Sequence, residues 1–265
     1  MQTLSAIDGH AIHEAPWDHS PDNVVMHEGG RFWTVARGAS TTVSLTYARD
    51  GSVAWSRTFS ADAIPFAMDQ TTIGVVERTG VLHLLAAQTG ATLGEPLTVD
   101  CPARVERIVC LHDAQRWCVG ISAPVARLPI LQADQLWGGS RVHFVNGWLY
   151  GIDRDSAAIS WRRHLDSECL PRHASQVAPT IVQMWRRPAS DASGETNVVG
   201  FMRVIDKRNG NELLTHRDTT LYAYSVLNPS ANFETLDIFT ERETFRLNFN
   251  SVKQDPMPER ASEEK

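Results

Sequence analysis

The feature that most constrains the fold is a short turn that recurs before the last strand of a repeated unit. The segment LYGIDRDSAAISW, residues 149–161, contains alternating apolar and polar residues, then a polar turn, then a strand that ends in a single Trp. Similar turns end at Gly51, Gly90 and Gly210, and Ala157 holds that place in the quoted segment. Glycine at the end of a tight hairpin accepts the positive φ that most residues avoid. The four positions therefore predict four equivalent hairpins.

The segments between these turns alternate apolar and polar residues with a period of two, and helical periodicity is almost absent. Successive turns are 39, 67 and 53 residues apart, and the longer intervals contain the inserts APVARLPILQADQLWGGS and PASDASGET. Without the inserts the spacing returns to roughly 40–50 residues, the length of a four-stranded propeller blade. The sequence therefore predicts an all-β chain, a partial β-propeller of about four four-stranded blades.

This repeat divides the chain into four predicted regions. The blades occupy residues 31–218, and a C-terminal β-meander at residues 219–250 completes or caps the propeller. Residues 1–30 are expected to form an irregular segment or the remnant of a preceding blade. Residues 251–265 are polar, with little to bury, and are expected to be disordered.

The chain has eight Trp residues, more than its other composition would suggest, and the repeat explains two of them. Trp55 and Trp161 each follow the turn residue by four positions, where a large ring could fill the wedge between one blade and the next. Gly94 and Leu214 hold that position in the other two units. The Trp residues are therefore interpreted as packing between blades.

The units resemble the PQQ-like repeat of bacterial β-propellers, in which an apolar strand with Asp, a turn with Gly and a strand ending in Trp follow one another. The resemblance covers most of residues 31–216. Tyr47 stands where the repeat usually has Asp, and Ala157 where it has Gly. The residues that carry the signature are Gly51, Trp55, Gly90, Asp153, Trp161, Asp206 and Gly210.

Residues 128–163, together with the strand at residues 244–249, also resemble the C-terminal end of uncharacterised PQQ-like repeat proteins of planctomycete-type bacteria. Complete propellers of this type usually have about seven or eight blades. The resemblance therefore implies the C-terminal part of a larger propeller, or an arc that pairs with missing blades or a protein partner.

Two branches of this repeat family imply different functions. Quinoprotein dehydrogenases clamp PQQ with two adjacent cysteines and a Trp floor and hold calcium nearby, whereas a periplasmic scaffold of outer-membrane protein assembly binds protein partners. None of the four cysteines is adjacent to another, and the calcium ligands and catalytic Asp have no identifiable counterparts. The resemblance therefore favours a non-catalytic scaffold without a cofactor.

A fragment of a PQQ-dependent quinoprotein oxidoreductase, with calcium, stays open as the alternative, and a degenerate fragment without independent function is a third. The family implies a periplasmic or cell-envelope location, but residues 1–22 lack the basic and apolar regions of a signal peptide, so localisation stays open. No apolar run reaches the roughly 20 residues of a membrane-spanning helix. The net charge of −6 without a basic stripe argues against a nucleic-acid partner.

The candidate partner-binding loop is the first insert, which carries large apolar residues between two predicted strands. Long loops on rigid scaffolds often carry function, and Trp is enriched at binding hot spots. A plug folded over the face of the propeller is the other interpretation. The candidate contact residues are Leu128, Ile130, Leu131, Leu136 and Trp137.

Three further groups of residues have a structural and a functional interpretation. His10, His13, Glu14, Asp18 and His19 have metal-ligand chemistry, but they lie outside any predicted strand, which favours a loop. Segments 161–164 and 185–188 place two Arg after a Trp, as an anion site or as solvent-facing strand residues.

The cysteines are interpreted as small buried apolar residues. A disulfide between Cys110 and Cys118 on neighbouring strands stays open, because connectivity cannot be read from sequence.

Overall fold

The structure is a computed structural model that describes residues 2–4, 11–14, 25–27, 31–47, 50–124, 142–171, 179–190, 196–218, 226–229, 235–239 and 244–248. Within these ranges the chain forms antiparallel β-strands and no helix. The described part therefore contains no helix that could cross a membrane.

The first blade is a four-stranded antiparallel sheet in the order β3-β4-β5-β6. It follows a separate two-stranded hairpin formed by β1 and β2. These strands are β1 (Gln2–Leu4), β2 (Ala11–Glu14), β3 (Val25–His27), β4 (Arg31–Arg37), β5 (Thr41–Tyr47) and β6 (Val53–Phe59).

The second blade is again a four-stranded meander, in which the last strand is short. Its strands are β7 (Ile64–Ala67), β8 (Thr72–Val76), β9 (Val81–Ala86) and β10 (Leu97–Thr98). The apolar strand β8 is buried along its whole length, as expected for a strand with packed neighbours on both faces.

A seven-stranded sheet contains the third and fourth blades. Among the described residues, β14 and β15 share a single pair in the β-ladder, Cys169 with Met184, so the sheet divides at that point. The third blade consists of β11 (Arg107–His112), β12 (Arg116–Ser122), β13 (Val142–Asp153) and β14 (Ile159–Pro171), and the fourth of β15 (Thr180–Ser190), β16 (Thr196–Asp206) and β17 (Glu212–Asp218).

A three-stranded antiparallel meander follows the fourth blade. Its strands are β18 (Val226–Pro229), β19 (Thr235–Phe239) and β20 (Thr244–Asn248). The ring of Phe245 in β20 lies 4.8 Å from the ring of His216 in β17, so the meander contacts the fourth blade.

Each pair of neighbouring blades encloses its own hydrophobic core, which is the mark of blades stacked face to face. Val43 of the first blade packs with Val75 of the second, and Leu82 of the second packs with Val119 of the third. Leu149 of the third blade belongs to one core with Ile205 of the fourth. The prediction of an all-β partial propeller is confirmed.

The N-terminal 30 residues contain more strand than expected. The segment predicted to be irregular, or to be the remnant of a preceding blade, includes β1, β2 and β3, and β3 supplies the fourth strand of the first blade. Strands of three or four residues are too short to show alternation, and β3 becomes a strand because it pairs along β4. The prediction that His13 lies outside any strand is wrong, since His13 belongs to β2. His10, Asp18 and His19 lie outside the described residues.

The open question of a Cys110–Cys118 disulfide is resolved by the register of β11 and β12. Both thiols are free. Cys110 pairs with Val119 and Leu111 with Cys118, so the two cysteines project from opposite faces of the sheet.

Candidate functional site

The four predicted turns have the same backbone geometry. The final turn residue has positive φ in every case: 70° at Gly51, 67° at Gly90, 52° at Ala157 and 72° at Gly210. The first turn residue donates its N–H to the carbonyl five positions later. These bonds join Tyr47 to Ser52, Ala86 to Ala91, Asp153 to Ala158 and Asp206 to Asn211, at 2.8–2.9 Å. The turns are therefore equivalent corners of the four blades.

A Trp of the first blade docks on the turn of the second. A methyl group at Gly90 would lie 2.6 Å from Cδ2 of Trp55, so only glycine fits beneath the indole. Nε1 of Trp55 donates to the carbonyl of Ala87 at 3.0 Å, and Nε of Arg57 donates to the carbonyl of Gly90 at 3.0 Å. The Trp therefore joins the two blades through both packing and hydrogen bonding.

The joint between the third and fourth blades repeats this arrangement. A methyl group at Gly210 would lie 2.7 Å from Cδ2 of Trp161, whose Nε1 donates to the carbonyl of Lys207 at 2.7 Å. Arg163 donates to the carbonyl of Gly210 at 3.3 Å and pairs with Glu212 at 2.8 Å. The Arg that follows the Trp by two positions thus belongs to the joint.

Between the second and third blades the small residue stands in the Trp position and the larger one in the turn position. Gly94 stands in the Trp position and Ala157 in the turn position, and a methyl group at Gly94 would lie 2.8 Å from Cβ of Ala157. The buried Cβ of Ala157 thus occupies space that is closed to a side chain in the other joints. This exchange explains why the third turn lacks glycine although its φ is positive.

This pairing predicts coupled substitutions at the second joint. Gly94→Ala should destabilise the chain by about 1–3 kcal/mol, because the new methyl group overpacks Ala157 and Gly94 itself has a φ of 67°. Adding Ala157→Gly should recover about 0.5–3 kcal/mol of that loss. Urea unfolding of both single variants and the double variant measures the coupling, and strict additivity would contradict the pairing.

Charged side chains add a second contact at two of the joints. Asp69, in the loop between β7 and β8, accepts hydrogen bonds from Nε1 of Trp117 and from Nη2 of Arg154, each 2.6 Å long. At the next joint Asp113, in the loop between β11 and β12, lies 4.0 Å from Nζ of the fully buried Lys207. Arg154 and Lys207 hold the same place in their turns, directly after Asp153 and Asp206.

The protonation equilibria of these groups differ. Burial raises the pKa of Asp69, but hydrogen bonds from Trp117 and Thr71 and the charge of Arg154 outweigh it, so the pKa lies below 3.8. Burial lowers the pKa of Lys207 below 10.5, although Asp113 opposes the shift. The joint between the second and third blades therefore holds a well-paired charge, and the joint between the third and fourth blades a poorly compensated one.

The candidate binding site is a cleft of about 540 Å³ between the second and third blades. Arg78 and Gly80 of the β8–β9 turn lie on one side, with Val99 to Pro102, and the strands β12, β13 and β14 of the third blade on the other. The cleft lies beside the root of the first insert: the N–H of Ala123 donates to Asn146, and Nδ2 of Asn146 donates to the carbonyl of Pro124.

Trp148 provides the aromatic surface of this cleft. The guanidinium carbon of Arg162 lies 5.0 Å from the centre of the Trp148 ring, and His164 meets the ring edge-on at 5.2 Å. Arg162 also pairs with Asp100 at 3.3 Å, and the carboxylate of Asp100 accepts the hydroxyl of Tyr150. Ring, cation and backbone groups therefore lie together at one opening.

Cys101 is the thiol that lines the cleft. Burial raises its pKa, with a further contribution from the charge of Asp62. The thiol is therefore protonated at neutral pH and is a poor nucleophile. No group of three or more His, Cys, Asp or Glu side chains that could hold a metal occurs among the described residues.

Comparisons with known proteins assign no family. No family model matches the chain, and no curated protein matches it. Among solved structures, the crystal structure of BamB from Moraxella catarrhalis is similar at a TM-score of 0.37 and 14% identity, over 85% of this chain and 72% of that one. The blade assignment given above therefore rests on the sheets and joints of this chain.

The predicted site residues fall into two groups. Leu128, Ile130, Leu131, Leu136 and Trp137 lie outside the described residues. In the first Trp-Arg-Arg segment, Arg162 lies at the rim of the cleft and Arg163 at the joint between the third and fourth blades. In the second segment, Trp185 is buried against Phe201, with ring centres 5.4 Å apart. The sequence reasoning missed the cleft because its two sides, within residues 78–102 and 121–164, belong to different blades.

Proposed function

We propose that this chain is a non-catalytic β-propeller scaffold that binds a protein partner at the cleft between the second and third blades, together with the insert residues Leu128–Ser140. The observation that carries the proposal is the position of the cleft beside both ends of the insert. Asn146 is hydrogen-bonded to Ala123 and Pro124, where the insert leaves β12, and lies four residues after Val142, where β13 begins.

The chemistry of the cleft suits a peptide segment. Protein interfaces are enriched in Trp and Arg, which combine apolar contact area with hydrogen bonding. Trp148 lines the cleft and Arg162 stacks on its ring, whereas Val99 and Ile121 are buried and form the apolar floor beneath. Exposed ion pairs such as Arg162–Asp100 contribute little to stability, so their groups can exchange partners at small cost.

Two changes test the proposal: Trp148→Ala, and replacement of residues 128–140 by a short Gly-Ser linker. Partners captured by the wild-type chain are identified and purified, and their affinity for each variant is measured by calorimetry. Loss of a hot-spot aromatic costs about 2 kcal/mol or more, so Trp148→Ala should weaken binding roughly 30-fold. The linker variant should weaken binding to the same partner.

Leu213→Ser is the matched control. Leu213 is 53% exposed on the fourth blade and does not line the cleft, so its substitution should leave affinity unchanged. A partner that binds both cleft variants as tightly as the wild-type chain would contradict the proposed site.

A further inference from the structure

The hairpins at the blade corners share one register. In the first, third and fourth blades, the residue six before the turn residue pairs with the residue four after it. A bulge follows, and the residue five before pairs with the residue two after. The pairs are Leu45–Trp55 and Thr46–Val53, Gly151–Trp161 and Ile152–Ile159, and Val204–Leu214 and Ile205–Glu212.

The N-terminal hairpin has the same register around Gly9. Thr3 pairs with His13, a bulge follows, and Leu4 pairs with Ala11. Thr3 stands six residues before Gly9 and His13 four residues after it. Gly9 also precedes Gly51 by 42 residues, which is one blade repeat of roughly 40–50 residues. His13 therefore has the register position of Trp55 and Trp161.

The first blade offers the surface on which such a hairpin would dock. Its turn ends at Gly51 with a φ of 70° and has the same N–H to carbonyl bond as the turns that receive Trp55 and Trp161. Tyr47 and Val53 beside this turn are 41% and 57% exposed, which leaves the corner accessible.

We propose that residues 2–14 are the outer two strands of a further blade, docked on the first blade with His13 opposite the turn at Gly51. A neutral imidazole has one ring N–H, so His can replace the donor that Trp supplies in the other joints. Within the described strands β1 pairs with β2 alone, so the other edge of β1 is open to a further strand. This inference does not depend on the cleft.

Cysteine cross-linking tests the docking. A disulfide forms when the Cβ atoms lie about 3.5–4.5 Å apart. The variant His13→Cys/Gly51→Cys should oxidise to within about twofold of the yield of Trp55→Cys/Gly90→Cys, the matched pair at the joint between the first and second blades. There Cγ of Trp55 lies 3.0 Å from the Cβ position at residue 90, so the bonded Cβ of residue 55 lies within reach. Peptide mapping by mass spectrometry identifies the linked residues.

His13→Cys/Gly90→Cys is the mismatched control and should stay reduced, because Gly90 belongs to the next joint. The proposal is overturned if the matched pair cross-links while His13→Cys/Gly51→Cys does not, or if the mismatched pair links equally well. A second variant, His13→Trp, should raise the melting temperature by about 2–4 °C per kcal/mol of new packing. An unchanged melting temperature would count against docking.

Discussion

Trp161→Ala is expected to lower the free energy of unfolding by about 3–5 kcal/mol, a large share of the 5–15 kcal/mol of a typical domain. Trp161 is 8% exposed and packs on both Gly151 and Gly210, where added methyl groups would lie 2.1 and 2.7 Å from its ring. The substitution removes this packing from the joint and leaves the carbonyl of Lys207 without the buried indole donor. Urea unfolding followed by circular dichroism measures the loss.

Two controls separate packing from hydrogen bonding in this prediction. Trp161→Phe keeps an aromatic ring but loses the N–H, and should cost about 1–3 kcal/mol. Trp55→Ala should cost less than Trp161→Ala, because Trp55 is only partly buried and donates over a longer distance. If Trp161→Ala cost less than 1 kcal/mol, the Trp would not be the main contact between the third and fourth blades.

Arg154→Met is expected to destabilise the chain by about 3–5 kcal/mol, the usual result of removing one partner of a buried ion pair. The side chain of Asp69 is 6% exposed, and its 2.6 Å contact with Arg154 joins the second and third blades. Arg154 also donates to the carbonyl of Asp113 at 2.7 Å, and that bond is lost with it. Urea unfolding at neutral pH tests the prediction, and a loss below 1 kcal/mol would contradict it.

The stability lost in Arg154→Met should depend on pH through the ionisation of Asp69. The pKa of Asp69 in the folded chain lies below its ordinary value of 3.8, so its stabilising contribution is complete above about pH 4. The contribution disappears as the pH falls through the lowered folded pKa. The difference between wild type and Arg154→Met should therefore shrink in acid.

Lys207→Met is the matched comparison at the next joint and should have the opposite effect. Lys207 is fully buried, and its Nζ has no hydrogen-bond partner among the residues that the structure describes, so a Met of similar length should stabilise the chain by about 1–2 kcal/mol. Asp113 keeps hydrogen bonds from the N–H groups of Gln115 and Arg116. A loss of stability would show that the Lys207–Asp113 pair is net favourable.

The stabilisation gained from Lys207→Met should become smaller at alkaline pH. The unfolded Lys has a pKa of 10.5 and the folded one a lower value, so unfolding takes up protons between these two values and wild-type stability rises with pH across that window. The gain from Lys207→Met should therefore be largest at neutral pH and decrease as the pH rises toward 10.5.

The features of the fold that could be predicted from the sequence are those set by interactions between neighbouring residues, and not those set by contacts between distant strands. Gly51, Gly90 and Gly210 were identified as turn ends because positive φ is a local demand of the backbone. The short strands β1 to β3 were not identified, because a strand of three residues is defined by its partner and not by its own pattern. The cleft was not predictable, because it depends on which blade corners face each other.

The sequence by itself determined the all-β class and the turns, because period-two alternation and glycine at strained positions act over a few residues. Only the tertiary structure decided that Ala157 pairs with Gly94, that Asp69 meets Arg154 across 85 residues, and that Cys110 and Cys118 project from opposite faces. These contacts join separate blades or strands. Their outcome depends on the register and stacking of sheets, and the hydrophobic effect that drives this stacking has no direction of its own.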